Sequence, residues 1–86
     1  MSNCSNLLRP VQAANLLGCS TSTLYKHVKA GVCPAPVRFG PNSVAWLSHE
    51  IEAVIAARIC GYSDDEIQSM VVDIIQQRSF FMEGAK

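Results

Sequence analysis

The chain has 86 residues and a mass of 9.3 kDa; 49% of the residues are hydrophobic, 16% are charged, and the formal net charge is zero. This length suits one small domain with little volume for a buried-substrate pocket, and the composition excludes a disordered chain. No apolar run approaches the ~18 residues of a membrane span.

The stretch MSNCSNLLRP lacks the basic and apolar regions of a secretory signal, so a cytoplasmic protein is expected. The cysteines at 4, 19, 33 and 60 include no C-x-x-C, and His27 and His49 are far apart. Without a close ligand pair no metal site is expected, and no other cofactor signature is visible. The thiols read as reduced, several of them as small core residues. No nucleophile–base pair suggests an enzyme.

The zero net charge hides an asymmetry. Arg9, Lys26, Lys29 and Arg38 precede the first acidic residue, Glu50. Beyond Gly61, Asp64, Asp65, Glu66, Asp73 and Glu83 outnumber Arg78 and Lys86. A basic N-terminal part and an acidic C-terminal part are therefore expected.

In chain order, Pro10 suits a first helical position and Gly18 the residue past a helix end, which predicts a two-turn helix between them. Ser20 is an N-cap candidate for a second helix that Gly31 stops. On that helix Leu24 and Val28 share one face, and Ser22, Lys26 and Lys29 the opposite one. Two short helices joined by Gly-Cys-Ser, with a basic outer face on the second, form a helix-turn-helix pattern. A plain helical hairpin with a solvated basic face fits this stretch equally well.

Pro34 and Pro36 bar a helix in the next segment. Val37, Phe39, Val44 and Trp46 flank Gly40-Pro41-Asn42-Ser43, a turn sequence, so a β-hairpin is expected. Period-two alternation puts Val37 and Phe39 on one face and Arg38 on the other. Ser48 is the cap candidate for a third helix reaching Cys60, with Glu50 and Glu52 near its positive end and Ile51, Ile55 and Ile59 on its core face. Tyr62 and Ile67 suit a hydrophobic staple, and Ser63 with Glu66 forms a capping box. These open a fourth, amphipathic helix running to about Arg78, whose stripe is Ile67, Met70, Val71, Ile74 and Ile75.

The segment LLRPVQAANLLGCSTSTLYKHVKAGVCPAPVRFGPNSVAWLSHEIEAVIAARI resembles the AlpA family of small prophage regulators, which is related to excisionases and to MerR-type DNA-binding domains. The LLG-x-S-x-STLY motif, the K-x-G-x-x-P after it, the PVRFGPNSVAW hairpin and the W-x-x-x-E-I helix start carry the resemblance. It implies a mainly α fold with a small β-hairpin: a winged helix-turn-helix over residues 1–60, with helix 20–30 in the major groove of duplex DNA. Thr21 and Asn42 stand where the family commonly has cations, Cys33 where it has Phe and Ala45 where it has Gly, which implies fewer phosphate contacts.

The expected function is a non-enzymatic, sequence-specific transcriptional regulator of phage or prophage type, associated with a bacterial nucleoid. An excisionase-like bending factor and a helix-turn-helix used only for protein contacts are the alternatives. Ser22 and Lys26 are the candidates for base edges, with Tyr25 at the flank; Arg9, Lys29 and Arg38 are candidates for phosphates. Ser20, Thr21, Thr23 and Asn42 complete the expected DNA-binding set. Leu17, Leu24, Val28, Phe39 and Trp46 are assigned to the core. The helix within residues 61–86 is expected either to pack on the domain or to pair two copies through Ile67, Met70, Val71, Ile74 and Ile75. Because four cations give weak binding, a homodimer through residues 63–78 is the favoured arrangement.

Overall fold

A computed structural model of the chain describes the backbone of residues 7–84 and the side chains of residues 7–78. Its elements are β1 (Leu7–Leu8), α1 (Pro10–Leu17), α2 (Thr21–Ala30), β2 (Val37–Gly40), β3 (Ser43–Leu47), α3 (Ser48–Ile59) and α4 (Asp64–Gly84). The result is mostly helical with a small antiparallel sheet, consistent with a winged helix-turn-helix.

The first two helices are set by their ends. Pro10 occupies the first turn of α1, and the Arg9 backbone N–H donates to Gln12 Oε1 at 2.9 Å. Gly18, at φ 73°, turns the chain out of α1 through the left-handed region that suits glycine. Two residues later the Ser20 hydroxyl accepts the Thr23 backbone N–H at 3.2 Å and opens α2. Gly31, at φ 84°, closes it in the same way.

Three strands form the sheet, in the order β1-β3-β2. Leu7 pairs with Leu47 and Leu8 with Trp46 on one edge; Val37 pairs with Ala45 and Arg38 with Val44 on the other. The next pair is Gly40 with Ser43, so Phe39 is the extra residue of a β-bulge.

Two apolar clusters hold these elements together. In the first, Ala13, Ala14, Leu24, Cys33, Trp46 and Ile51 join α1, α2, β3 and α3. Trp46 is fully buried, and its indole N–H donates to the Pro34 carbonyl at 2.8 Å, so its one polar atom is satisfied. In the second, Val32, Val54 and Ala57 meet Ile67 and Val71 of α4. Leu17 packs against both clusters.

The fourth helix therefore packs back on the domain. Ile67, Val71 and Ile74 are buried in their own chain, Met70 is half-buried, and Ile75 is partly exposed. Burial consumes three of the five stripe residues expected at a copy–copy contact. Ser63 and Glu66 form the expected box: the Ser63 backbone N–H donates to Glu66 Oε1 at 2.8 Å and Glu66 N–H to Ser63 Oγ at 3.2 Å.

Several expectations are corrected. Strand β1 was not anticipated. Helix α4 runs to Gly84 rather than stopping near Arg78. Leu47, not Ser48, is the N-cap residue of α3, and Ser48 is its first helical residue. The core face of α3 is Glu50, Ile51, Val54 and Ala57, while Ile55 is half-buried and Ile59 is 80% exposed. Isoleucines four apart advance by about 40° at each step, so the series walks off the buried face. Phe39, assigned to the core, is 56% exposed because the bulge breaks the alternation that would have turned it inward. Glu50 is in the first turn of α3 but buried, its charge met by Arg78.

Candidate nucleic-acid interface

The outer face of α2 carries the expected constellation. At 100° per residue Tyr25, Lys29, Ser22 and Lys26 fall within an arc of about 100°, and all four are exposed. Leu24 is fully buried on the opposite side, with Val28 and His27 beside it half-buried. The same periodicity that anchors the helix thus displays two ammonium groups, a hydroxyl and a phenol together.

Tyr25 also joins this face to the sheet. Its ring stands edge-on to Trp46, with centroids 5.6 Å apart and planes at 67°. One side of the phenol is fixed on β3 while the residue stays 44% exposed.

The other proposed contacts divide by what the structure already asks of them. Ser20 and Thr23 are spent on the cap: Ser20 Oγ takes the Thr23 N–H and donates its own proton to Thr23 Oγ1 at 3.1 Å. Thr21 is half-buried at the start of α2. Arg9 is exposed immediately before α1, and Arg38 and Asn42 are exposed on the wing, Arg38 on β2 and Asn42 in the turn. The Arg38 guanidinium makes one long contact, Nη2 to the Pro41 carbonyl at 3.5 Å, and keeps most of its donors free.

Charge separates along the fold. Among the described residues the ion pairs are Arg58–Asp64 at 2.9 Å and Arg78–Glu50 at 2.6 Å, both made by residues beyond the hairpin. Arg9, Lys26, Lys29 and Arg38 have no carboxylate partner among the described residues. No acidic residue stands in the first turn of α1 or α2. Four uncompensated cations on the helix-turn-helix and wing make a surface suited to an anion.

Two supporting residues escaped sequence reasoning. Gln68 of α4 donates its side-chain N–H to the Ala30 carbonyl at 2.9 Å, meeting an open acceptor at the C-terminal end of α2. Arg78 donates to both Glu50 oxygens, at 2.6 and 3.0 Å, and to the Ala35 carbonyl at 2.7 Å, which ties α4 to α3 and to the loop before the wing. A signal for Arg78 was available: it follows Ile67, Val71 and Ile74 at helical spacing on the buried stripe.

The described thiols at 19, 33 and 60 are free, and no group of three metal-ligating side chains occurs among the described residues. Burial pushes the Cys33 thiol from its ordinary 9.0 up to about 12, with nearby Cys19 and Glu50 adding to the shift. No helix among the described residues is long and apolar enough to cross a membrane.

Comparison with known proteins identifies the family. A family model described as Prophage CP4-57 regulatory protein (AlpA) matches residues 6–59, from just before β1 through the end of α3. An uncharacterised protein, ORF88 of Enterobacteria phage P4, is 41% identical over 54 residues, 63% of this chain and 61% of that protein. The chain thus spans under two thirds of that relative's length. No solved structure matches. The family match covers more than half of the chain, including the helix-turn-helix and the wing, and the chain belongs to the AlpA family of prophage regulatory proteins.

Proposed function

We propose that this protein is a sequence-specific duplex-DNA-binding regulator of prophage genes, acting in the bacterial cytoplasm without catalysis. Helix α2 enters the major groove; Ser22 and Lys26 meet base edges, and Lys29, Arg9 and Arg38 meet phosphates on either side. The observation that carries this reading is the exposed face of α2, where Ser22, Tyr25, Lys26 and Lys29 converge and neither lysine has a carboxylate partner among the described residues. Thr21, Thr23 and the cap residue Ser20 shape the N-terminal end of that helix, and Asn42 lies at the wing tip.

Four cations set the scale of affinity. With one phosphate neutralised by each, the logarithm of the binding constant falls with the logarithm of salt concentration at a slope of about −3 to −4. Two copies on one operator would double that slope. Among the described residues of α4, Val72 and Ile75 are large apolar side chains left open to a second copy. Selection of bound sites from random duplex DNA tests the reading. A recurrent motif with a salt slope in this range supports it; recovery of no motif, with no retention of bulk duplex DNA at low salt, refutes it.

A further inference from the structure

A groove opens where the two apolar clusters meet. Cys33 belongs to the first cluster, Val32 and Val54 to the second, and Leu17 packs against both. Together they line a hollow of about 230 Å³ between α1, α2 and α3. Leu16 and Ile59, which are 49% and 80% exposed, line the same hollow. Exposed apolar residues are commonly scattered singly, whereas these two border one concavity. The space exceeds the ~150 Å³ of an apolar cavity that holds benzene and falls short of the ~300 Å³ of a drug-sized site. It suits a body of one ring or one short chain.

Two polar side chains line the groove, and both can donate to an anion. Arg58 spends Nη1 on Asp64 at 2.9 Å, in a pair whose side chains are 44% and 71% exposed. A pair so open to water is weak, and the other guanidinium donors have no partner among the described residues. The half-buried His27 ring also has no hydrogen-bond partner among the described residues. A guanidinium only donates and an imidazole carries at least one N–H, so a carboxylate is the group that accepts from both. No acidic side chain lines the groove to repel it.

We infer that this groove binds a small organic carboxylate of about ten heavy atoms: its apolar body lies on Leu17, Val32 and Val54 beside Leu16 and Ile59, and its carboxylate accepts from Arg58 and His27. Around α2, His27 lies about 140° from Ser22 and about 160° from Lys29, so the groove is on the far side of that helix from the proposed DNA face. The inference therefore does not rest on the proposed function, and ligand and DNA occupy different surfaces.

The test is a titration of the isotope-labelled full chain, followed by amide NMR shifts, with phenylacetate as the probe. Neutral phenylacetamide and cationic phenethylamine, similar in size, are the controls. Phenylacetate is expected to shift the amides of Leu16, Val32 and Ile59 saturably, with a dissociation constant of about 0.1–1 mM, the range open to a ligand of this size. The two controls are expected to bind at least about tenfold more weakly, having no charge for Arg58 to meet. Arg58→Gln and Ile59→Ser, each first shown to melt as wild type does, are expected to weaken phenylacetate, and Arg58→Gln to erase its advantage over the amide.

Equal binding of acid and amide by wild type overturns the inference, because the groove would then be apolar without charge recognition. Absence of saturable shifts with both phenylacetate and hexanoate at about 10 mM, tenfold above the expected constant, also overturns it. So do shifts of the same amides with protein concentration alone, accompanied by a dimer in sedimentation equilibrium, which would assign the groove to a second copy.

Discussion

The Arg78 guanidinium closes on the Glu50 carboxylate from 28 residues away, at 2.6 and 3.0 Å, and spends a further N–H on the Ala35 carbonyl. Glu50 is 1% exposed, whereas the Arg78 side chain keeps 22%. The carboxylate is thus the desolvated partner and the arginine its only charged compensation among the described residues. Through this contact a helix that lies outside the family match is tied to α3 and to the loop that leads into the wing.

Removing the arginine alone should therefore be severe. Arg78→Ala leaves a buried, uncompensated carboxylate and is expected to cost about 3–5 kcal/mol. Replacing both partners with methionine should cost much less, the remaining loss being the unmet Ala35 carbonyl. Urea denaturation of the single and double variants checks this. A double variant as unstable as Arg78→Ala would show that the pair is not what the site requires.

The second cluster makes α4 part of the domain. A chain ending at Gly61 would expose Val32, Val54 and Ala57 and lose the buried Ile67, Val71 and Ile74. Three large side chains at about 1.5–3 kcal/mol each are comparable with the whole stability of a small domain. The truncated chain is expected to show no cooperative thermal transition in circular dichroism, whereas the full chain shows one.

Trp46 joins both roles of the fold, filling the first cluster and supporting the Tyr25 ring. Trp46→Ala should cost about 3–5 kcal/mol. Tyr25→Ala removes only the outer partner of the edge-on pair and should cost about 0.5–1.5 kcal/mol plus the lost burial. Thermal melts of the two variants give the order directly.

The thiols should react in the order of their exposure. Cys60 is exposed and Cys33 buried, with its pKa raised to about 12, so a thiol reagent at neutral pH should modify Cys60 quickly and Cys33 only on unfolding. A raised thiol pKa means that the unfolded chain ionises first as pH rises. The stability contributed by Cys33 is fully present below pH 9.0 and is lost toward about pH 12. Mass spectrometry of alkylated peptides and melting temperature against pH check the two halves.

How much of this was legible in the sequence depended on whether the signal was local. Pro10, Gly18, Ser20, Gly31 and the Ser63–Glu66 box act within a few residues of themselves, and the helix ends they predict are close to those observed. The exposed face of α2 was legible for the same reason. Strand β1 was not, because two leucines before Arg-Pro carry no period and pair with β3 only through tertiary placement. The core face of α3 was misread because its isoleucines form a more conspicuous series than Val54 and Ala57, which with Glu50 and Ile51 fill the interior. Phe39 was misplaced because alternation holds only while the ladder is regular. The Glu50–Arg78 pair, 28 residues apart, was not legible as a pair: Arg78 follows the buried stripe of α4, but no local pattern names Glu50 as its partner.

The central claim is that the exposed face of α2 binds duplex DNA, and Lys26 tests it most directly. Lys26 is exposed one turn beyond Ser22 and has no partner among the described residues, so its removal should leave the fold intact. Titration of a selected duplex with wild type and Lys26→Ala, at several salt concentrations, is the measurement. The account predicts melting unchanged, affinity lower by about 1–3 kcal/mol and a salt slope that is no steeper than that of wild type. A Lys26→Ala protein that bound the same duplex as tightly as wild type across the salt series would contradict it.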